Sequence, residues 1–222
     1  MNNIQLGPFL LNGSLVTNLL FGLGGWMMLK LWGRMTQGGP EARNIAELLF
    51  NGFLIWLLIW KFSYLIIHPL EAVSEPLSLL YFDGGESGGW IAGLIAGLYL
   101  WRYSRKKKLD FAHVVHGFFV YLLGGWFMSR LPELLLVERP SVSFIASVCW
   151  TGILLLQMVI SKREMPEARI HFAALWFLIG NIVFLFFDSE RVIWILSFSR
   201  LQVLFLLLAV GLVLWKSPER KP

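Results

Sequence analysis

Charged residues are scarce in this sequence. Only 15% of its 222 residues are Asp, Glu, Lys or Arg, whereas a soluble domain carries about 25%. Hydrophobic residues make up 57% of the chain, and the mean hydropathy is +0.66. This composition excludes an ordinary water-soluble domain and predicts a chain that is embedded in lipid.

Cysteine and the common catalytic motifs are also lacking. Cys149 is the single cysteine, so no disulfide and no Cys-based metal site can form within one chain. The sequence contains no P-loop, GxGxxG or HExxH motif. His113 and His116 share a helix face, but only Asp110 stands near them, which favours a polar lining over a metal site. We expect neither a metal nor another cofactor.

The N-terminus lacks the basic start and the small-residue cleavage site of a secretory signal peptide. It begins Met1-Asn2-Asn3-Ile4-Gln5, without a positive charge. We therefore expect the first apolar stretch to be retained as a transmembrane helix.

Seven apolar stretches follow one another along the chain, and each is near the ~20 residues that cross a ~30 Å hydrocarbon core. No alternating strand pattern interrupts them, so the sequence predicts an all-α, polytopic transmembrane bundle of about seven spans, with residues 1–222 forming one transmembrane domain. The stretches are Phe9–Trp32, Ile45–Ile67, Gly84–Tyr103, Phe111–Met128, Val142–Ile160, Ile170–Phe187 and Val192–Trp215.

The basic residues are distributed unevenly between the connecting loops. Fourteen of the 19 Lys and Arg residues lie within the last residues of the first, third, fifth and seventh stretches or directly after them, and most acidic residues fall on the other side. The positive-inside rule then predicts an outside N-terminus and a cytoplasmic C-terminus. The densest basic run, Arg105-Lys106-Lys107-Lys108, adds attraction to anionic lipid. We expect no nucleic-acid partner, because no fold is available to present these charges.

Lys61 lies within an apolar run, between Trp60 and Phe62. An ionisable residue inside a membrane costs ~2.5–3.5 kcal/mol on insertion scales and is by default a candidate functional residue. Its ammonium either reaches the interface and pairs with a carboxylate such as Glu86 or Glu133, or it contacts an anionic lipid headgroup. The sequence leaves both interpretations open.

The third stretch opens with Gly84-Gly85-Glu86-Ser87-Gly88-Gly89. Glycines allow a close backbone approach, either to a lipid headgroup or to a neighbouring helix. We expect this segment to be non-helical or bent, to lie close to Lys61 or Glu133, and to line a cavity, because irregular backbone at membrane depth must be shielded from lipid.

Several motifs occur in the order found in one bacterial enzyme family. Ile4-Gln5-Leu6-Gly7-Pro8-Phe9 resembles the I-x-(I/L)-G-P-(F/V) opening of the prolipoprotein diacylglyceryl transferases, and Leu48–Phe53 resembles their second-helix entry. Lys61 and Tyr64 fall where that family has Arg and Tyr. The stretch from Glu75 to Ser87 is similar to its P-L…W-x-G-G-M-S segment. The run from Trp194 to Leu204 is similar to its last helix.

The resemblance implies a protein of the bacterial cell (inner) membrane that handles phospholipid. The family moves diacylglycerol from phosphatidylglycerol to the Cys of a lipoprotein precursor. The family carries an essential His in the segment that corresponds to Gly85–Trp90, and this sequence has no His there. The signature G-R-x-G-N-F-x-N-G-E keeps only Gly124 and Glu133 here, and the Y-G-x-x-R motif becomes Ile179–Val183.

The leading functional prediction is a divergent family member without the usual catalytic residues. It would bind a phospholipid such as phosphatidylglycerol, or a lipoprotein precursor, in a cavity open to the outer leaflet. One alternative is an active transferase that uses substitute residues. Another is a structural or interaction subunit that packs on a second membrane protein. The candidate headgroup-binding residues are Lys61, Tyr64, Gly84, Gly85 and Ser87, and the candidate catalytic residues are Glu86, Arg130 and Glu133.

Overall fold

The computed structural model describes residues 4–6, 9–11, 13–35, 39–74, 83–136, 140–160, 167–188 and 192–214. Within these ranges the chain forms two short strands and eight helices. They are β1 (Ile4–Leu6), β2 (Phe9–Leu11), α1 (Gly13–Met35), α2 (Gly39–Ile67), α3 (Pro69–Ser74), α4 (Gly85–Lys106), α5 (Phe111–Leu136), α6 (Val142–Ile160), α7 (Glu167–Phe186) and α8 (Arg200–Leu214).

Three of these helices are long and apolar enough to cross a membrane. The qualifying segments are Gly13–Met35 in α1, Pro40–Ile67 in α2 and Phe111–Leu134 in α5. Shorter apolar helical segments occur in α6, α7 and α8. The prediction of a helical chain with segments long and apolar enough to span a membrane is confirmed.

The start of the chain departs from the predicted all-helical architecture. β1 and β2 pair in antiparallel fashion, with Ile4 opposite Leu11 and Leu6 opposite Phe9. The first apolar stretch, predicted as a span from Phe9, is therefore helical only from Gly13. Extended pairing satisfies the backbone polar groups of this segment before the first helix begins.

The contacts between the seven longer helices place successive helices in alternating directions, and the most extensive contact joins α1 to α5. Gly24 lies against the Gly124 carbonyl and Met128, while Gly124 lies against Met28. Glycine at both positions lets the two backbones come together, as small residues commonly do between membrane helices. The deepest part of the core consists of Leu29, Ile45, Val120, Leu123, Phe177, Leu178 and Phe205.

The alternation gives the bundle two chemically different ends. The acidic end carries the close of α2 and the starts of α4 and α8, together with Asp83, Glu86, Glu133 and Asp188. The basic end carries the turn between α1 and α2 and the close of α4, with Lys30, Arg34, Arg43, Arg102 and Arg105–Lys108. At each end of the bundle, helices that are distant in the sequence come into contact. At the basic end, for example, His113 of α5 contacts Glu41 of α2.

A second hairpin replaces part of the predicted seventh span. Helix α8 begins at Arg200. Ahead of it, residues 192–198 form what we call the apolar hairpin, closed by a bridge between Ile195 and Phe198. Leu196 and Ser197 at its tip have φ values of 46° and 71°. Two central residues with positive φ make a type I′ turn, which normally uses Asn or Gly, because other residues cost roughly 1–2 kcal/mol each in this conformation.

Candidate functional site

Ser63 is the point at which α2 and α4 come closest at the acidic end. Its side chain is fully buried and donates a 2.8 Å hydrogen bond to the Trp60 carbonyl oxygen. Gly84 and Gly88 lie directly against it, and a Cβ atom at either position would overlap Ser63 Oγ. The Gly84 amide also donates to the Trp60 carbonyl at 3.1 Å. The start of α4 is therefore docked on α2.

Two tryptophan side chains reinforce this junction. Trp60 Nε1 donates to the Gly85 carbonyl at 3.1 Å, and Trp56 Nε1 donates to the Gly89 carbonyl at 3.2 Å. The two indoles stack with their centroids 5.7 Å apart. The carbonyls of Gly85 and Gly89, in the first two turns of α4, thus receive donors from α2.

The sequence predicts a non-helical or bent glycine segment, and the non-helical alternative is wrong from Gly85 onward. Helix α4 begins at Gly85 and includes Gly88 and Gly89. Irregularity is confined to the helix start, where Gly85 has a φ of +58° and donates its amide to Asp83 Oδ1 at 2.9 Å. A helix is stable here because α2 covers the side of α4 that carries Gly88. The glycines therefore allow the two helices to pack closely and do not form an open loop.

The predicted headgroup residues therefore lie in different surroundings. Gly84 is buried, whereas Gly85 and Ser87 are exposed at the start of α4. Tyr64 is 7% exposed and packs on His68, with the ring centroids 5.1 Å apart. Lys61 is half-buried, and the carboxylate that acts on it electrostatically is Asp83 rather than Glu86 or Glu133.

Glu86 is engaged by a partner that sequence reasoning did not identify. Arg200 Nη1 donates to Glu86 Oε1 at 2.6 Å, which joins the first turn of α4 to the first residue of α8. Glu86 precedes the apolar part of α4, which begins at Trp90. The hydrogen bond from Arg200 holds the pKa of the Glu86 carboxyl below its usual value. This carboxylate stabilises a helix contact and is a poor candidate for a general base.

Arg130 occupies a shielded position near the acidic end of α5. Its side chain is 29% exposed, and its guanidinium lies 4.7 Å from the Trp126 ring centroid and 5.4 Å from the Phe144 ring centroid. Glu133 Oε2 is 3.6 Å from Arg130 Nη1, and the Glu133 side chain is 53% exposed. The structure thus brings two predicted catalytic candidates, Arg130 and Glu133, together, whereas the third, Glu86, is paired with Arg200.

A chain of buried polar groups runs inward from the Arg130 region. Trp126 Nε1 donates to Ser147 Oγ at 3.4 Å, and Ser147 Oγ donates to Asn181 Oδ1. Asn181 Nδ2 donates in turn to the Phe177 carbonyl at 2.9 Å. These bonds tie α5, α6 and α7 together in the half of the bundle nearer the acidic end.

Gln202 performs the same role between α7 and α8. Its side chain is fully buried, donates from Nε2 to the Ile182 carbonyl at 3.1 Å and accepts from the Ser199 amide at 2.8 Å. Sequence reasoning assigned no role to Ser147 or Gln202. The available signal was a polar side chain inside an apolar stretch, which generally forms hydrogen bonds between membrane helices.

The histidine pair lies near the start of α5, at the basic end of the bundle. His116 is buried, and His113 Nδ1 lies 3.1 Å from Asp110 Oδ2 and 3.7 Å from Glu41 Oε1. Within the part of the chain that the structure describes, no group of three or more His, Cys, Asp or Glu side chains could hold a metal ion. These contacts connect α2 and α5 at the basic end.

Comparison with known proteins identifies no relative. No family model matches the chain, and neither a curated protein nor a solved structure matches it. The resemblance to the diacylglyceryl transferases therefore remains a prediction that rests on the motifs alone. Part of those motifs, the residues from Glu75 to Phe82, lies outside the described residues.

Proposed function

We propose that this chain is a multi-pass membrane protein that binds the anionic headgroup of a phospholipid, such as phosphatidylglycerol, at the acidic end of its bundle. In this proposal it is a divergent relative of the prolipoprotein diacylglyceryl transferases that lacks their usual transfer residues. The observation that supports the proposal best is the shielded guanidinium of Arg130.

A guanidinium at this position requires an anionic partner. Removing a cation from water is costly unless it is paired and hydrogen-bonded. Glu133 and Asp188 both act on the guanidinium electrostatically, and the 3.6 Å separation from Glu133 exceeds the ~2.7–2.9 Å of a strong charged hydrogen bond. The planar fork of arginine matches a phosphate in a bidentate manner. The rings of Trp126 and Phe144 would hold that fork in one orientation while a phosphate binds.

The proposed topology places the acidic end outside the cell. Seven spans, an outside N-terminus and a cytoplasmic C-terminus are supported by the alternating helix directions and by the basic residues gathered at one end of the bundle. Arg130 would then lie at the depth of the outer-leaflet headgroups. The bacterial inner membrane is the location that the family resemblance suggests.

Reporter fusions test this orientation. A reporter at the C-terminus should be active only in the cytoplasm, and one at the N-terminus only outside it. A reporter inserted after Lys107 should read cytoplasmic. Both termini on one face would contradict the seven-span proposal.

Native mass spectrometry of the detergent-solubilised protein tests headgroup binding. Arg130→Gln should weaken phosphatidylglycerol binding by about 10-fold to 100-fold, since a charged hydrogen bond contributes ~1.5–3 kcal/mol. Arg130→Lys should retain part of the affinity. Arg102→Gln, which removes an exposed arginine at the basic end, is the matched control and should bind as the parent does. Equal phosphatidylglycerol affinity in Arg130→Gln and the parent would contradict the proposal.

An active transferase is the second candidate, and the half-exposed Glu133 beside Arg130 is the observation that favours it. Complementation of cells depleted of their diacylglyceryl transferase separates the two functions. We expect no modification of a reporter lipoprotein, because the family's His and most of its signature are replaced. A diacylglyceryl-modified Cys that disappears in Glu133→Gln would show that transfer occurs on substitute residues.

A further inference from the structure

The apolar hairpin exposes an unusual run of side chains for a connection between helices. Five consecutive residues, 192–196, are Val, Ile, Trp, Ile and Leu, and all are exposed. Val192 is 81% exposed and Leu196, at the tip, is 87% exposed. An exposed apolar patch of this kind marks a surface that contacts lipid or another protein.

The surroundings of the hairpin favour lipid. The two helices that the hairpin connects also carry exposed apolar side chains, represented by Val183 and Phe187 at the close of α7 and by Leu204 and Leu207 on α8. Exposed apolar side chains thus occur on the hairpin and on both helices, and one apolar medium, lipid, would cover all of them.

Two contacts fix the hairpin at the level of the helix ends. Phe198 packs edge-on against Phe186, with the ring centroids 5.2 Å apart. Arg200 lies over the Trp194 ring at 5.8 Å and is bonded to Glu86. Tryptophan and arginine together are typical of the boundary between headgroups and acyl chains.

The hairpin also satisfies much of its own backbone. The Trp194 amide donates to the Phe198 carbonyl at 2.8 Å, and the Phe198 amide donates to the Ile195 carbonyl at 2.8 Å. The Ser199 amide is taken by Gln202 Oε1. Irregular backbone exposed to lipid does not occur in the hydrocarbon region, so this partly bonded backbone belongs at the interface, where water satisfies the remaining polar groups while the apolar side chains reach into lipid.

From these observations we propose that the apolar hairpin inserts into the lipid interface at the acidic end, with Leu196 among the first carbons of the acyl chains. The partner is a lipid surface, and Arg200, Trp194 and Glu86 mark the headgroup level above it. This inference is independent of headgroup binding at Arg130.

Depth-dependent fluorescence quenching in lipid nanodiscs tests the proposal. In a Cys149→Ala background, Leu196→Cys is labelled with an environment-sensitive dye. A nitroxide at carbon 5 of the acyl chain should quench this dye more strongly than one at carbon 12, and aqueous iodide should quench it weakly. Leu207→Cys, within α8, should be quenched more by carbon 12. Lys107→Cys, in the basic run, should be quenched by iodide alone.

Ile193→Cys provides a second labelling site in the same hairpin if Leu196→Cys does not fold, and the same quenching order is expected there. A dye that iodide quenches as strongly as it does at Lys107→Cys, with no effect of the carbon 5 nitroxide, would overturn the proposal. The same result followed by protection only on addition of a second membrane protein would also overturn it and would identify the hairpin as a protein-docking surface.

Discussion

Glu86 and Arg200 lie 114 positions apart in the sequence and are joined by a 2.6 Å hydrogen bond at the acidic end of the bundle. Each stands at the start of its helix, α4 or α8. Both side chains are more than half exposed, at 61% and 52%. The pair therefore holds the starts of two helices next to each other. Because it is exposed, it contributes little to the free energy of unfolding.

Breaking this pair should loosen the start of α4 relative to α8. We expect disulfide cross-linking between Ser87→Cys and Ser199→Cys, in a Cys149→Ala background, to fall several-fold when Arg200→Gln is added. Arg43→Gln, which breaks the exposed pair with Glu47 at the basic end, should leave cross-linking unchanged. Unaltered cross-linking in Arg200→Gln would show that other contacts hold the two helix starts together.

The same contact should depend on pH in one direction. Because Arg200 lowers the pKa of Glu86 from its ordinary 4.5, the pair is intact above that pH. It is lost as the pH falls through the lowered value, where the carboxyl becomes protonated. Labels at Ser87→Cys and Ser199→Cys, read by spin-label distance measurement, should stay close at neutral pH and separate only in acid. Separation near neutral pH would contradict the pairing.

The glycines of α4 should divide into two classes. Gly88→Ala places a Cβ against Ser63 Oγ and should lower the free energy of unfolding by ~1–3 kcal/mol, the usual range for overpacking. Gly93→Ala, on the same helix, meets open space and should be neutral or slightly stabilising. Thermal unfolding in detergent measures both. A similar loss in the two variants would mean that backbone flexibility, and not packing on Ser63, decides the effect.

The helices of this protein are largely predictable from composition, but their contacts are not. The long apolar stretches indicated α4, α6 and α7 to within three residues at each end, whereas α2 begins six residues earlier and α5 ends eight residues later than predicted. The role of the glycine segment depended on Ser63, which lies in another stretch, and no local pattern relates the two. The sequence around Gly84 and Gly88 is therefore consistent both with a ligand-binding site and with a helix-packing surface.

The apolar hairpin shows a second limit of sequence reasoning. The stretch from Val192 is apolar throughout, so hydropathy alone does not distinguish a helix from an extended segment. The turn at Leu196 and Ser197 carries none of the Asn or Gly residues that normally predict a type I′ hairpin. In the sequence, Arg200 is the residue that indicates where the apolar helix begins, because a charged residue inside a membrane span is unfavourable.

The polar chain through Ser147 should contribute measurable stability. Ser147→Ala leaves Trp126 Nε1 without its acceptor and Asn181 Oδ1 without its donor, so we expect a loss of ~1–2 kcal/mol. The double variant Ser147→Ala/Asn181→Leu should cost less than the sum of the single variants, because the two side chains share one bond. Additive losses in chemical unfolding would argue against direct coupling.

The strained turn offers a stabilising substitution. Ser197→Gly should raise the free energy of unfolding by about 1 kcal/mol, because glycine adopts a φ of 71° without steric cost. Ser87→Gly is the control, since Ser87 lies in the first turn of α4, where glycine should be neutral or destabilising. If Ser197→Gly destabilises the protein, the turn must be supported by contacts of the serine side chain.

The most direct test of headgroup binding is the position of lipid phosphate in an experimental map of the protein in phosphatidylglycerol nanodiscs. The account predicts phosphate density within hydrogen-bond distance of the Arg130 guanidinium, between the rings of Trp126 and Phe144 and beside Glu133. The density should be absent in Arg130→Gln. Acyl-chain density alone around Arg130, or phosphate ordered only beside Lys61, would contradict the assignment of the site.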